Sequence, residues 1–449
     1  VTGALPLVLW LGLGVPSALA FLRFGRRDLA LAVTPLAGAL AIALPVMLAP
    51  WTGAALSGWV AHSALASVGL GLATVALLGR RDDPLPQALP PSTPGPMALS
   101  LAVILAVGLS LIGVGEILAE GWPGYGWDGL AIWIVRARVL AESDLLPAAL
   151  FSEPQLREGH WDYPLAIPAL MAWYARVAGL GVQQMGIPLV HLAALAPAVT
   201  ALGLARVLGW PLAAAAGLAP LVVPELLEYH LRAYADPSLA MIATGAVAFT
   251  LVGTIRWDRS TLVLAGLAWA LAVSIKNEGV LWLCAATLGS LLLSAYRELP
   301  RPAWAAGLAR LCVPGFALFG FWRLTCNRLA VEGTLLGGLR WDLAGERFAP
   351  LAAALAGHVF SATAAPLLLV CIAVMAWRLR GPFSNRLLDG VVLLSIPLAY
   401  LAGLFVIYLG TPHDLGWHVS TSLHRTVYGV LPAVFVATLF AGVLGRDSR

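Results

Sequence analysis

Charge is scarce in this chain of 449 residues: only 11% are Asp, Glu, Lys or Arg, while 60% are hydrophobic, and the mean hydropathy is +0.86. A water-soluble fold is excluded, because too much apolar surface would face solvent. Strand-length alternation of apolar and polar residues is also missing, which excludes a membrane β-barrel. Cysteine is rare: Cys284, Cys312, Cys326 and Cys371 are widely spaced, form no CxxC pair or metal-ligand spacing, and read as small buried hydrophobes. No basic segment precedes the first apolar run and no cleavage pattern follows it, so it reads as a retained span. No repeat of fixed period is evident. The net charge of +4 is what basic cytoplasmic loops give a membrane protein, and it implies no nucleic-acid partner.

What the chain does have is a series of apolar stretches of about 17–25 residues, each long enough for a helix to cross a hydrocarbon core roughly 30 Å thick. They predict an all-α, polytopic transmembrane helical bundle of about thirteen helices. The spans are expected near 3–22, 29–50, 55–78, 98–119, 185–205, 210–224, 237–254, 261–275, 279–295, 307–325, 353–376, 388–409 and 427–444. The uncharged, Pro-rich "PLPQALPPSTPGP" (84–96) reads as a linker. It divides a three-helix module (1–83) from a larger membrane domain (98–449) whose external loop covers 120–184.

Residues 163–180, "YPLAIPALMAWYARVAGL", decide the topology. With two prolines and with Tyr163, Trp173, Tyr174 and Arg176, the segment is expected to lie flat in the membrane interface. Then "RFGRRD", "GRRDDP", "IRWDRS", "YRELPR", "WRLRGPFSNR" and "GRDSR" all fall on one side, as cytoplasmic basic loops should. Letting 163–180 span would scatter them. Most acidic residues then lie outside, and no histidine falls in a cytoplasmic loop, so any chemistry is expected to face outward.

Five outward segments carry polar clusters. "GYGWDGLAIWIVRARVLAESD" (124–144) starts a helix at Asp128, with Trp127, Ile132 and Trp133 expected against the membrane and Arg136 near the same helix face as Asp128. "REGHWDYP" (157–164) supplies His160, Asp162 and Tyr163. "PELLEYHLRAYADPSLA" (224–240) supplies Glu225, Glu228, His230, Arg232 and Asp236. "SIKNEGVLW" (274–282) sets Lys276, Asn277 and Glu278 near membrane depth, where three polar residues are costly unless paired or used. "GTPHDLGWHVSTSLHRTVYGVLP" (410–432) brings His413, Asp414, His418, His424 and Arg425 to the last span. Singly, each has a plain structural reading: Asp128 and Asp236 as helix caps, Lys276 as a snorkelling side chain, the rest as solvated loop. Together, cations, carboxylates and aromatics on one face suit a lipid-linked phosphate, a proton acceptor and a sugar.

"WDGLAIWIVRARVL", "HWDYPLAIP", "YADPSLA", "IKNEG" and "HRTVYGVLPAVFV", in this order over about residues 98–445, resemble the GT-C superfamily of polytopic glycosyltransferases. The nearer likeness is to bacterial members of the protein mannosyltransferase and aminoarabinose transferase type. The resemblance implies transfer of a sugar from a polyprenyl-phosphate donor to an envelope acceptor (lipid, glycan or protein), at a site facing the periplasm from the bacterial inner membrane. It implies Asp128 as general base. Lys276 and Arg425, with Arg136 and His424, would serve the donor phosphate. His160, Asp162, Tyr163, Arg232, Asp236, Asn277 and Glu278 would contact sugar or acceptor. No obligatory cofactor is expected; a divalent metal stays open. The chain departs from the pattern in its three leading spans and in Gly129, which stands where protein mannosyltransferases carry Glu after the Asp. Two other readings remain: a secondary transporter of a polar or lipid-linked solute, and an O-antigen ligase or polymerase.

Overall fold

The computed structural model describes residues 4–79, 94–120, 124–144, 160–298, 301–331, 338–361, 364–378 and 383–440, and every regular element among them is helical. Three helices lead: α1 (Ala4–Arg23), α2 (Arg27–Thr52) and α3 (Trp59–Leu78). After α4 (Pro94–Glu120) come the short α5 (Val135–Glu142) and α6 (Ala166–Ala178). The central run is α7 (Ile187–Leu208), α8 (Trp210–Leu218), α9 (Pro224–Leu231), α10 (Ala235–Ile255), α11 (Arg259–Ile275), α12 (Glu278–Tyr296) and α13 (Arg301–Arg328). The chain closes with α14 (Ala344–Val359), α15 (Ala364–Arg378), α16 (Phe383–Leu409), the single turn α17 (Leu415–His418) and α18 (His424–Leu439).

Among the described residues nine helices are long and apolar enough to cross a membrane, or up to eleven if each of two bent pairs is one span. The chain is a multi-pass membrane protein. α11 has 17 residues and α18 has 16, both at the short end for a crossing. The bent pairs depart from the simple runs read in the sequence. α8 with its following turn meets α9 at 61°, and α14 meets α15 at 73° where a single span over 353–376 was expected. Most of the Pro-rich linker (84–93), Arg157 and Glu158 and the C-terminal "GRDSR" lie outside the described residues.

α6 has 13 residues, about 20 Å of helix, too short to cross. It does not lie exposed at an interface either. Trp173 and Tyr174 are completely buried, and residues 166–175 are buried throughout, so the aromatics expected at headgroup level are core. Trp173 meets Trp59 edge-on at 6.1 Å, and Tyr174 meets Trp10 at 6.5 Å. The first three helices thus wall α6 in. Arg176 adds a clamp, donating to the carbonyls of Leu140, Leu56 and Ser143.

The turns gather at two ends. At one, Arg26 of the α1–α2 turn pairs with Asp258 of the α10–α11 turn at 2.6 Å. At the other, the α2–α3 turn, α5, both ends of α6, and the starts of α10, α12 and α18 converge. α10 is buried along its whole length and forms the axis that carries its first turn to this second end.

Candidate functional site

The stretch 124–128 turns sharply before its helix. A Cβ on Gly126 would stand 2.2 Å from the ring of Tyr234, and one on Gly129 only 2.3 Å from the carbonyl oxygen of Arg232. Gly126 N–H donates to that same carbonyl at 3.0 Å. Glycine therefore lets this backbone lie directly on the turn ahead of α10. That contact sets Asp128 beside α18. A one-turn stretch of wider helix, Gly129–Ile134, follows before α5.

Asp128 makes no capping hydrogen bond. Its Oδ2 instead accepts from Arg425 Nη1 at 2.6 Å. Arg425 Nη1 is also 3.8 Å from Asp236 Oδ2, and Asp236 Oδ1 accepts from Lys276 Nζ at 2.8 Å. Lys276 reaches Glu278 Oε1 at 2.9 Å. Five charges of alternating sign thus run from α18 to α12 through side chains that are mostly buried. Asp236 is not explained as a cap: Tyr234 holds that position, and the carboxylate lies in the first turn of α10, turned toward both cations. Burying such pairs brings little net stability, because desolvation offsets the attraction.

A second layer holds this chain in place. Asn277 Nδ2 donates to Asp162 Oδ2 at 3.0 Å, and Trp322 of α13 donates to the Asp162 carbonyl at 2.8 Å. The Tyr163 ring lies 5.6 Å from Lys276 Nζ, between the rings of Trp133 (5.6 Å) and His160 (5.1 Å), both near parallel to it. His160 adopts a left-handed φ of 46°, which directs its ring onto Tyr163. Burial holds the His160 imidazole below its usual pKa, with Asp162 opposing. Arg425 is flanked by the rings of Tyr234 (4.6 Å) and Tyr229 (5.9 Å), a cation–π setting.

The remaining sequence candidates stand elsewhere. Arg136 does not share a ligand face with Asp128: it is 1% exposed, donates to the Tyr163 carbonyl at 2.5 Å, and stacks near Trp133 and Trp161. Burial lowers its pKa to about 10, so it stays charged at neutral pH. Ile132 and Trp133, expected against the membrane, are buried, while Trp127 is exposed. Arg232 forms an exposed pair with Glu228. His230 is fully buried against the Leu189 carbonyl. His424 turns from Arg425 toward Tyr229, whose hydroxyl is 2.6 Å from Nε2, and toward His358. His413 and His418 form a separate cluster with Trp417 and Tyr408.

Beside the charge chain is a narrow cleft between α10, α12, α16 and α18, with room for about 10 Å³, roughly one water molecule. Asp236, Glu278 and Arg425 form its polar end; Leu239, Ala240, Trp282, Tyr400, Thr426 and Gly429 line the rest. Trp282 and Tyr400 stack at 3.9 Å. Two polar atoms here have no hydrogen-bond partner among the described residues: Arg425 Nε and Glu278 Oε2. Sequence reasoning missed Trp282, Tyr400, Tyr229, Tyr234 and His358. Trp282 follows Glu278 by one helical turn, which was a usable signal; Tyr400 sits in an unbroken apolar run and gave none. No group of three or more His, Cys, Asp or Glu among the described residues could hold a metal ion.

Comparison with family models, curated proteins and solved structures gives no match for this chain.

Proposed function

We propose that the chain is a GT-C-like membrane glycosyltransferase of about thirteen spans. In this reading it moves a sugar from a polyprenyl-phosphate donor to an acceptor in the bacterial envelope, at a site facing the periplasm. The cleft is the observation that supports this most. Arg425 and Glu278 line its polar end, and each keeps one buried side-chain atom, Nε and Oε2, without a hydrogen-bond partner among the described residues. Buried polar groups left unpaired are costly, and a ligand that pairs them recovers that cost. A phosphate accepts from Arg425, a sugar hydroxyl donates to Glu278, and an isoprenoid chain finds apolar partners in Trp282, Tyr400, Leu239 and Ala240 when the helices around the cleft part to admit it.

The reaction is a single inverting displacement. An acceptor hydroxyl or amine loses its proton to Asp128 and attacks the anomeric carbon, while the bond from that carbon to the phosphate oxygen breaks. Polyprenyl phosphate leaves with the electron pair, its charge held by Arg425 and Lys276. In the resting state Arg425 is committed to Asp128 at 2.6 Å. A phosphate that engages Arg425 competes for the same guanidinium and frees Asp128 to take a proton, which couples donor binding to base activation. Asp162, Asn277, Tyr163 and His160 hold Lys276 and the sugar end; Arg136 braces Tyr163 from behind.

The test is mass spectrometry of the cell envelope from a deletion strain complemented with wild type or Asp128→Ala. A glycosyl mass that returns only with wild type is expected. An envelope that deletion leaves unchanged would overturn the transferase reading. The two bent helix pairs favour one rival, a secondary transporter, since broken helices commonly build transport sites. Loss of solute uptake on deletion, with the envelope intact, would select it.

A further inference from the structure

The charge chain has a sign as well as a shape. Asp128, Asp236 and Glu278 give three negative charges and Arg425 and Lys276 two positive ones, leaving one formal negative charge at the head of the cleft. Both cations are shared, each between two carboxylates, and a donor phosphate must draw on them further. Among the buried carboxylate oxygens of this network one stands out. Asp128 Oδ2 is held by Arg425, Asp236 meets Lys276 through Oδ1 and Arg425 through Oδ2, and Glu278 meets Lys276 through Oε1 alone. Glu278 Oε2 is left without a partner among the described residues.

Glu278 opens α12 and lines the cleft together with Trp282, one turn further on, and Asp236 and Arg425 across it. A group entering between Arg425 and Glu278 meets a donor on one side and an acceptor on the other. A second carboxylate brought to the Glu278 side would face a like charge in a setting of low dielectric, where repulsion is strong. The site therefore selects by charge at one end and by hydrogen-bond polarity at the other.

We infer, resting on the transferase reading above, that the transferred glycosyl group carries no negative charge and is recognised through a hydrogen that it donates to Glu278. Hexoses, pentoses and amino sugars fit this chemistry; uronic acids do not. Glu278 is then the residue that sets specificity, while Arg425 and Lys276 read the phosphate that all donors share.

The experiment uses the purified full chain in lipid nanodiscs and four synthetic ligands: bare polyprenyl phosphate, and polyprenyl phosphate bearing a hexose, an aminohexose or a hexuronic acid. Binding is read by displacement of a fluorescent polyprenyl phosphate. The hexose or the aminohexose donor is expected to bind at least about tenfold more tightly than the hexuronate donor. Which of the two is preferred tells whether a hydroxyl or an ammonium faces Glu278. Glu278→Gln should shrink the discrimination against hexuronate to within about threefold, read as the ratio of hexose to hexuronate binding within that variant. Glu278→Asp keeps the charge and should keep the discrimination, so the inference stays testable if the Gln variant fails to fold. Equal binding of hexuronate and hexose donors to the wild type overturns it. So does full discrimination in Glu278→Gln. If the wild type binds none of the four ligands, the transferase reading falls as well; if it binds bare polyprenyl phosphate but does not discriminate, only the present inference falls.

Discussion

At one end of the bundle Arg26 stands between Asp258 (2.6 Å) and Asp28 (3.5 Å), and Arg206 reaches Asp28 at 3.1 Å. At the other end Asp128, Arg425, Asp236, Lys276 and Glu278 run in series. Residue types and spacings are alike, and both Arg26 and Arg425 are almost wholly buried. The difference lies in what each cluster borders. Both oxygens of Asp258 are taken, one by Ser260 N–H, the other by Arg26 and Thr261 Oγ1. Buried atoms without a hydrogen-bond partner among the described residues occur in both, Arg26 Nε and the Asp28 carboxylate in the first, Arg425 Nε and Glu278 Oε2 in the second, but the second alone lines the cleft between α10, α12, α16 and α18. Buried ion pairs bring little net stability in either place. The first, closed cluster joins turns; the second, open one meets a cleft.

The contrast can be broken from either side. The largest effect is expected at the open cluster: Asp128→Asn should lower glycosyl transfer by about 10²–10⁴-fold while the unfolding temperature changes little. A variant that keeps wild-type transfer would remove Asp128 from the base role. At the closed cluster the pattern should invert. Arg26→Ala leaves Asp258 buried beside no cation and should cost about 3–5 kcal/mol of stability, measured by unfolding in detergent, with transfer per folded molecule unchanged. The double variant Arg26→Ala/Asp258→Ala should recover part of that loss; no recovery would mean that the pair is not the source.

A smaller effect is expected where the first three helices meet the site. Arg176→Met deletes three hydrogen bonds to carbonyls and should cost about 1.5–3 kcal/mol, since bonds from a charged donor exceed neutral ones. An unfolding curve that matches wild type would show that the clamp contributes nothing. The smallest is a pH effect. His418 is half-buried and its pKa is pushed down to about 4, first by desolvation and then by neighbouring charge from His413. The unfolded chain takes up a proton near the ordinary value of about 6.5, and the folded chain does not. This contribution is therefore complete above pH 6.5 and is lost as pH falls toward 4. His418→Gln should flatten the decline, which melting curves across that range would reveal.

Much of the site could be read from the chain, because polar residues in an apolar sequence are conspicuous. Asp128, Asp236, Lys276, Glu278 and Arg425 were each visible as charges near the ends of apolar runs, and they meet. What misled was local reasoning applied to residues whose partners lie far away. Asp128 and Asp236 have the sequence setting of helix caps, yet each faces Arg425, which lies 297 residues from Asp128. Trp173 and Tyr174 looked like interfacial anchors and are core, because the first three helices cover them. Arg136 seemed close to the phosphate by helix spacing, and the wider turn at Gly129–Ile134 leaves it buried behind Tyr163.

The solvent and the class of fold follow from the amino-acid composition and the length of the apolar runs. Apolar runs of membrane length cannot be hidden from water in any other way, and within lipid the backbone must satisfy its own hydrogen bonds as helix. The sequence also marks which residues are too costly to bury without use. Which of those costly residues share one network and which stand apart depends on how the helices pack. Pairing depends on distances between helices that no local pattern encodes. A lone Arg and a lone Asp read alike along the chain, whether they close a turn or open onto a cleft.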